Sequence, residues 1–197
     1  MTRVLIAANV SPNAISLAGL VFGVGAGLLL TSTGQTYGVA RVAGFLGAAA
    51  LIQLRLLCNM FDGMVAIDGG RQSPYGELFN DMPDRFADLA VLVGAGYSLT
   101  AIPYGRELGW LAGALAILTA YVRLVGASMG LRQSFAGPMA KPHRMAVITA
   151  ACVLSTLEPL AGWRGETIAL ALIVVIAGSA VTIVRRTLQI VADVSSR

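Results

Sequence analysis

Six long apolar stretches constrain the fold of this chain more than any other feature of its sequence. A helix needs roughly 20 mostly apolar residues to cross a membrane. The six stretches run over residues 14–32, 40–67, 77–101, 107–128, 143–160 and 166–187. Only 12% of the 197 residues are charged, whereas soluble domains carry about 25%. We therefore predict an all-α integral membrane protein with six transmembrane helices in a single domain, residues 1–197.

The connections between these stretches carry residues that end or begin helices. Ser11-Pro12-Asn13 combines a helix-capping side chain with a proline at the first helical position. The first ten residues lack the apolar core of a signal peptide. Glycines repeat every four positions in the first and fourth stretches, which is typical of close helix contacts; they are Gly19, Gly23, Gly27, Gly109 and Gly113.

The arginines predict the orientation of the chain. Thirteen of the fourteen basic residues are arginine, and basic residues favour the cytoplasmic side of a membrane. Six spans place both termini on one side, which collects nine of these residues, whereas Arg41, Arg106 and Arg164 fall on the other. We therefore expect a multi-pass protein of the cell (inner) membrane with cytoplasmic termini. The scattered basic residues do not form the surface of a nucleic-acid-binding protein.

Six of the ten acidic residues lie between residues 59 and 88. Carboxylates are costly beside membrane-spanning helices and usually serve a function there. Asn59 and Asp62 share one face of the second helix, and Asn80 and Asp84 share one face of the third. If these two helices pack as an antiparallel pair, the four side chains converge at its cytoplasmic end. Their oxygens suit a hard cation such as Mg²⁺ or Mn²⁺.

A purely structural explanation competes with the metal site. Arg71 and Arg85 could pair with Asp68, Asp81 and Asp88 in a hydrated hairpin at the membrane interface. We favour this explanation for Asp81 and Asp88, and the functional one for Asp62 and Asp84.

Four further basic residues are candidates for binding an anionic substrate. Arg55 and Arg123 lie inside apolar stretches with no acidic neighbour in sequence, which favours phosphate binding or a polar cavity. Lys141 and Arg144 lie at the start of the fifth helix and could hold an anionic acceptor or the CDP phosphates. The alternatives are that the first two extend to the interface and that the last two only set the topology.

The acidic stretch resembles the signature of the CDP-alcohol phosphotransferases. That signature reads D-x-x-D-G-x-x-A-R-x8-G-x3-D-x3-D, and it is matched here at Asp62, Gly63, Ala66, Gly76 and Asp84. The segment Ser11-Pro12-Asn13 also resembles the start of the family's first membrane helix. The chain departs from the signature at three positions, which hold Asn59, Asn80 and Ile67.

The resemblance implies a site and a reaction. Asn59, Asp62, Asn80 and Asp84 would hold one or two Mg²⁺ or Mn²⁺ ions, and Asp84 would act as general base. The donor would bind beside small or polar residues, namely Asn13, Gly63, Ala66, Ser73 and Gly76. A substituted phosphate would pass from a CDP-alcohol, commonly CDP-diacylglycerol, to a small alcohol, with release of CMP. Family members are commonly homodimers in the lipid bilayer.

Two other functions stay open at this point. The asparagines at positions 59 and 80 remove two negative charges, which fits a relative that keeps the fold and has impaired activity. A small ion-binding transporter is the third candidate. It would place its charges near the middle of the membrane in broken helices, whereas these charges lie at one end of continuous apolar stretches.

Overall fold

A computed structural model describes residues 2–70 and 75–196 of the chain. These residues form eight helices and no strand. Two helices are short, α1 (Thr2–Ala7) and α7 (Glu158–Ala161). The six long helices are α2 (Pro12–Thr33), α3 (Gly38–Asp68), α4 (Gly76–Tyr97), α5 (Gly105–Ser128), α6 (Lys141–Ser155) and α8 (Glu166–Ser195).

Each predicted apolar stretch coincides with one long helix. As expected, α2 begins at Pro12, and the Ser11 hydroxyl accepts a hydrogen bond of 3.2 Å from the Ala14 N–H. The fifth stretch was predicted to continue to residue 160, but α6 ends at Ser155. The ring of a helical proline clashes with the carbonyl four residues earlier, and Pro159 stands four residues after Ser155. The short helix α7 therefore follows as a separate element.

Four of the helices, α2, α3, α5 and α8, are long and apolar enough to cross a membrane. The helix α6 has only 15 residues, and α4 carries four charged residues, Asp81, Asp84, Arg85 and Asp88. The chain is thus an all-helical protein with several membrane-spanning segments. The count of six spans and the side on which the termini lie stay predictions.

The long helices form a closed ring in the order α2, α3, α6, α8, α5 and α4, which returns to α2. The sequence left open whether α3 and α4 pack as a direct antiparallel pair. Among the described residues they share no extensive contact, because α2 packs against both of them. Glycines of α2 allow this close approach. A methyl group added at Gly27 would lie 2.3 Å from the Ala90 carbonyl oxygen of α4, and one at Gly19 would lie 3.3 Å from Cys58 of α3. The predicted packing role of these glycines is confirmed.

The interior of the ring changes character along its length. Apolar side chains fill most of it, including Leu30, Phe45, Ile52, Leu92, Ile148 and Leu172, which are at most 1% exposed. Buried charged side chains from α3, α4, α6 and α8 gather toward one end, at Arg55, Asp84, Asp88, Arg144 and Arg186. The candidate site lies at this charged end.

Candidate active site

Asp84 is the centre of contacts that join three helices. The Asn59 side-chain N–H of α3 donates a hydrogen bond of 2.8 Å to Asp84 Oδ1. Arg55, also of α3, donates to the same oxygen at 3.3 Å and to the Asp84 carbonyl at 3.2 Å. The Lys141 ammonium, at the start of α6, binds Asp84 Oδ2. Asp84 is thus a buried carboxylate that is held by an amide, a guanidinium and an ammonium.

The side chains of α3 reach α4 across a glycine of α2. A methyl group added at Gly23 would lie 3.1 Å from Arg55 Cδ and 2.5 Å from Ala87 Cβ of α4. Arg55 therefore passes over the glycine surface of α2 on its way to Asp84. This explains how residues of α3 and α4 converge although the two helices are not neighbours.

Asp62 is held by different partners. The Ser16 hydroxyl of α2 donates to Asp62 Oδ2 at 2.7 Å, and the Gly63 N–H donates to Oδ1 at 2.6 Å. The carboxylate is 3% exposed. Each carboxylate oxygen can accept more than one hydrogen bond, so Asp62 keeps capacity for a further ligand.

Asp88 lies one helical turn beyond Asp84 and joins two arginines. Its Oδ1 is 2.6 Å from Arg55 Nη2, and its Oδ2 is 3.0 Å from Arg144 Nη2. All three side chains are at most 2% exposed. The expected pairing of Asp88 with Arg85 is therefore wrong, because Asp88 faces the interior of the ring and Arg85 pairs with Asp81; Arg71, the other expected partner, lies outside the described residues. The four-residue spacing from Asp84, which puts both on one helix face, is the sequence signal that could have found it.

Asp81 forms the salt bridge that the sequence predicted. Its carboxylate is 3.3 Å from Arg85, one turn along α4, and 2.7 Å from Arg123 of α5. Arg123 also packs over the ring of Phe135 at 5.3 Å from its centroid. These contacts hold the Arg123 guanidinium against polar and aromatic side chains, and its role in phosphate binding stays a prediction.

A cavity of about 320 Å³ opens beside Asp84. Its wall includes Asn59, Asn80, Asp81 and Asp84 from the acidic stretch, and Arg85, Arg123, Lys141, Arg144 and Arg186 from four helices. Five cationic side chains thus face two carboxylates, so the cavity has the charge of an anion-binding site. Burial lowers the pKa of the Lys141 ammonium, and the Asp84 carboxylate opposes that shift.

The structure brings together three of the four candidate acceptor residues. Arg123, Lys141 and Arg144 line the cavity, whereas Arg55 does not. Arg55 is wholly buried and its guanidinium binds Asp84 and Asp88. We therefore assign Arg55 to holding the carboxylates rather than to contacting an acceptor. Its partners are 29 and 33 positions away, so no neighbour in sequence revealed them.

Arg186 is a cavity residue that sequence reasoning missed. It donates to the Ala136 carbonyl at 2.9 Å and to the Thr119 carbonyl at 2.7 Å. Arg144 donates to the Thr119 hydroxyl at 3.2 Å. The sequence analysis counted Arg185 and Arg186 only among the nine basic residues that predict the cytoplasmic side. The neighbouring residues in sequence do not distinguish an arginine that points into the ring from one that lies at the membrane interface.

The small residues assigned to the donor lie at the same end of the molecule. Among the residues that the structure describes, a methyl group added at Gly63 or at Gly76 would meet no atom outside its own helix turn within 4 Å. Ala66 and Asn13 are half-buried. Ser73 lies outside the described residues. The donor-binding role of these positions stays a prediction, and the open space at the two glycines is compatible with it.

Solved structures with the same fold come from phosphatidylinositol phosphate synthase of Mycobacterium tuberculosis. The structure with CDP-DAG bound is 19% identical with a TM-score of 0.79, and covers 96% of this chain and 90% of the synthase chain. This chain has the fold of that synthase. The structure with manganese and citrate gives a TM-score of 0.79 at 19% identity, over 96% of this chain and 86% of that one. No family model and no curated protein matches the sequence.

The apo form of the synthase matches with a TM-score of 0.76 and 20% identity, over 96% of this chain and 93% of that one. The resemblance inferred from the acidic stretch is thereby confirmed in the fold. At this low sequence identity, the similarity shows a shared fold and does not show the role of any residue.

The oxygen donors of this chain fit a hard divalent cation in kind. Asp62 and Asp84 supply carboxylates, and Asn59 and Asn80 supply amide oxygens, which are ligands of Mg²⁺ and Mn²⁺. In number they are few: residues 2–70 and 75–196 contain no cluster of three or more His, Cys, Asp or Glu side chains placed to hold a metal. Asn59 also presents its N–H, not its oxygen, to Asp84. The donors present are therefore of the right kind for a hard divalent cation, and the number of ions stays a prediction.

Proposed function

We propose that this protein is a membrane-bound CDP-alcohol phosphotransferase of phospholipid synthesis, of the phosphatidyltransferase type. Its donor is a CDP-alcohol, CDP-diacylglycerol being the first choice, and its acceptor is a small alcohol. The observation that carries the proposal is the placement of Asp84 on the wall of a cationic cavity, within the fold of an enzyme whose structure has been solved with CDP-DAG bound.

Asp84 is the proposed general base. The acceptor hydroxyl gives its proton to an Asp84 oxygen as its own oxygen attacks the phosphorus that bears the lipid alcohol. The phosphorus–oxygen bond to the second phosphate breaks, and CMP leaves with the electron pair. Lys141 occupies Asp84 Oδ2 in the structure, so it moves off this oxygen when Asp84 accepts the proton. The ammonium is then free to contact a phosphate oxygen.

The cationic wall binds the phosphates. Arg123 and Lys141 face the cavity with part of their side chains exposed, and guanidinium groups match phosphate oxygens in geometry. Arg144 is held in place by Asp88 and the Met139 carbonyl. We assign Arg123, Lys141 and Arg144 to an anionic group of the substrates.

A divalent cation, one Mg²⁺ or Mn²⁺, completes the proposed site, held by Asp62 and Asp84 with amide oxygens of Asn59 and Asn80. When bound, it offsets charge on the phosphate oxygens and on the departing CMP. Ser16 and the Gly63 N–H orient Asp62 for this role.

The test is CMP release by the purified protein in lipid, with CDP-diacylglycerol, Mn²⁺ or Mg²⁺ and a panel of alcohols. Asp84→Asn should lower the rate by roughly 10²–10⁴-fold, because it removes the general base. Asp62→Ala should also abolish release. Asp68→Asn is the matched control for Asp62→Ala, since Asp68 is an exposed carboxylate on α3, the helix that also carries Asp62. Near-normal turnover by Asp84→Asn would show that the assignment of the base is wrong.

A relative with impaired activity is the second candidate. Asn59 and Asn80 favour it, because a neutral amide attracts a cation less strongly than a carboxylate. Absence of CMP release with every donor and acceptor would favour this candidate. In that case, Asn59→Asp combined with Asn80→Asp should raise the affinity for Mn²⁺, measured by electron paramagnetic resonance.

We also propose that the protein lies in the cell membrane with the cavity open to the cytoplasm, where water-soluble nucleotides are. A homodimer is compatible with its exposed apolar helix faces. Its mass in detergent, measured by light scattering, tests the oligomeric state.

A further inference from the structure

A second cavity, of about 640 Å³, lies at the other end of the helix ring. It is bounded by the start of α3 and by the connection from α6 through α7 to α8. Arg41 and Phe45 come from α3, and Ser155, Trp163 and Arg164 come from the connection. Nothing in the proposed reaction uses these residues.

The distance between the two cavities matches a bilayer. Arg41 and Asp62 lie on one continuous helix, α3, whose rise of 1.5 Å per residue separates them by roughly 30 Å. The hydrocarbon core of a bilayer is also about 30 Å thick. With the candidate active site at one interface, the second cavity lies at the opposite one. Exposed Tyr37 and Trp163 are the aromatic residues typical of that level.

The polar groups of this cavity favour an anion. Arg41 is anchored 3.3 Å from Glu158, which also accepts hydrogen bonds from the Gly165 and Thr167 N–H groups at 3.0 and 2.9 Å. Glu158 thus holds Arg41 in place while it caps α8. Arg164 forms no salt bridge within the described parts of the chain. It lines both this cavity and a smaller adjoining one, of about 120 Å³, together with Arg41.

Two buried donors at the cavity have no hydrogen-bond partner among the described residues. They are the Ser155 hydroxyl and Arg41 Nε. Ser155 is 3% exposed, and a buried polar group without a partner is costly. A ligand oxygen in the cavity would satisfy such donors.

The remaining wall is apolar. Val42, Phe45 and Trp163 border the cavity, and Val39 beside it is 85% exposed. Since α3 is long and apolar enough to cross a membrane, we expect this exposed side to face acyl chains. The cavity is therefore polar at its arginines and open to lipid at its apolar side.

We propose that this cavity binds the headgroup phosphate of an anionic phospholipid in the leaflet opposite the candidate active site. The phosphate lies between Arg41 and Arg164, the Ser155 hydroxyl donates to a headgroup oxygen, and an acyl chain extends along Val39 and Val42. A soluble phosphate would not use this apolar side, which is why the site is assigned to a lipid.

The test measures lipid retention by the full chain in detergent, using native mass spectrometry after incubation with phosphatidylglycerol or phosphatidylcholine. Wild type should retain one phosphatidylglycerol and little phosphatidylcholine. Arg164→Gln should weaken retention roughly tenfold, because it removes a charged hydrogen-bond donor, and Arg164→Lys should restore part of it. Arg106→Gln is the matched control, since Arg106 lies at the same end and packs on Tyr97 instead, 5.2 Å from the ring centroid.

Three results would overturn the proposal. These are unchanged retention by Arg164→Gln, an equal loss in Arg106→Gln, and retention of glycerol phosphate as tight as that of phosphatidylglycerol. Thermal unfolding of each variant shows that its fold is intact. The measurement involves no turnover, so its outcome is independent of the phosphotransferase proposal.

Discussion

At the scale of single residues, Asp88 joins two buried arginines in the charged interior, although the sequence assigned it to a hydrated salt bridge at the interface. It is the shared partner of Arg55 of α3 and Arg144 of α6, two helices that are neighbours in the ring. Arg55 in turn contacts Asp84. The position of the proposed base thus depends on a residue that is not in the cavity wall.

Replacing Asp88 should therefore cost stability. Asp88→Asn leaves the buried Arg144 guanidinium without a carboxylate partner and Arg55 with Asp84 alone, and breaking a buried ion pair costs about 3–5 kcal/mol. The free energy of unfolding in mixed micelles measures this loss. Asp81→Asn is the control, because the Asp81 side chain is 35% exposed and exposed salt bridges contribute at most about 1 kcal/mol. Equal stability of both variants would contradict the role given to Asp88.

The sequence predicted only those site residues that can be recognised from their spacing along the chain. Asp62 and Asp84 were found because the gaps between them match a known signature. The partners of Arg55 were not, because they depend on the glycine surface of α2 that lets its side chain cross to α4. The salt bridge between Arg41 and Glu158 was not predicted either, because the two residues are 117 positions apart in sequence.

At the scale of helices, the glycines of α2 act differently from one another. Gly23 lies under Arg55 and against Ala87, so Gly23→Ala should push Arg55 aside as well as separate α2 from α4. Overpacking of this kind costs about 1–3 kcal/mol, and it should also lower CMP release. Gly25→Ala is the control, since its methyl group would meet only the end of the flexible Leu51 side chain at 3.3 Å.

Unfolding and CMP release should be measured for both glycine variants. Loss of release in Gly25→Ala as large as in Gly23→Ala would show that α2 tolerates no added methyl group at all. The path of Arg55 would then have no special part in the site.

The helices themselves were predictable because each is a long apolar run bounded by turn residues. The order in which they pack was not. Sequence neighbours α3 and α4 could have paired directly, but the glycine stripe on α2 makes it the better partner of both. A glycine repeat on one helix predicts that another helix packs closely against it, but it does not predict which helix that is.

At the scale of the whole molecule, orientation is the property to test. The basic residues predict that the α5–α6 connection is cytoplasmic and that the α2–α3 connection lies outside. In a chain with Cys58 and Cys152 changed to Ala, a membrane-impermeant maleimide should label Gln35→Cys in intact cells. It should label Gln133→Cys only in inverted vesicles. The opposite pattern would place the candidate active site on the outer face.

The closed ring also has a consequence for how the chain is made. During synthesis α3 and α4 enter the membrane before α6. The contact of Arg55 on α3 with Asp88 on α4 allows the two opposite charges to enter the membrane as an ion pair. The second arginine of Asp88, Arg144, arrives with α6, and α8 then completes the ring. A nascent chain that stalls before α6 has an incomplete charged interior. Cellular proteases that survey membrane segments for exposed charge should therefore remove such chains first.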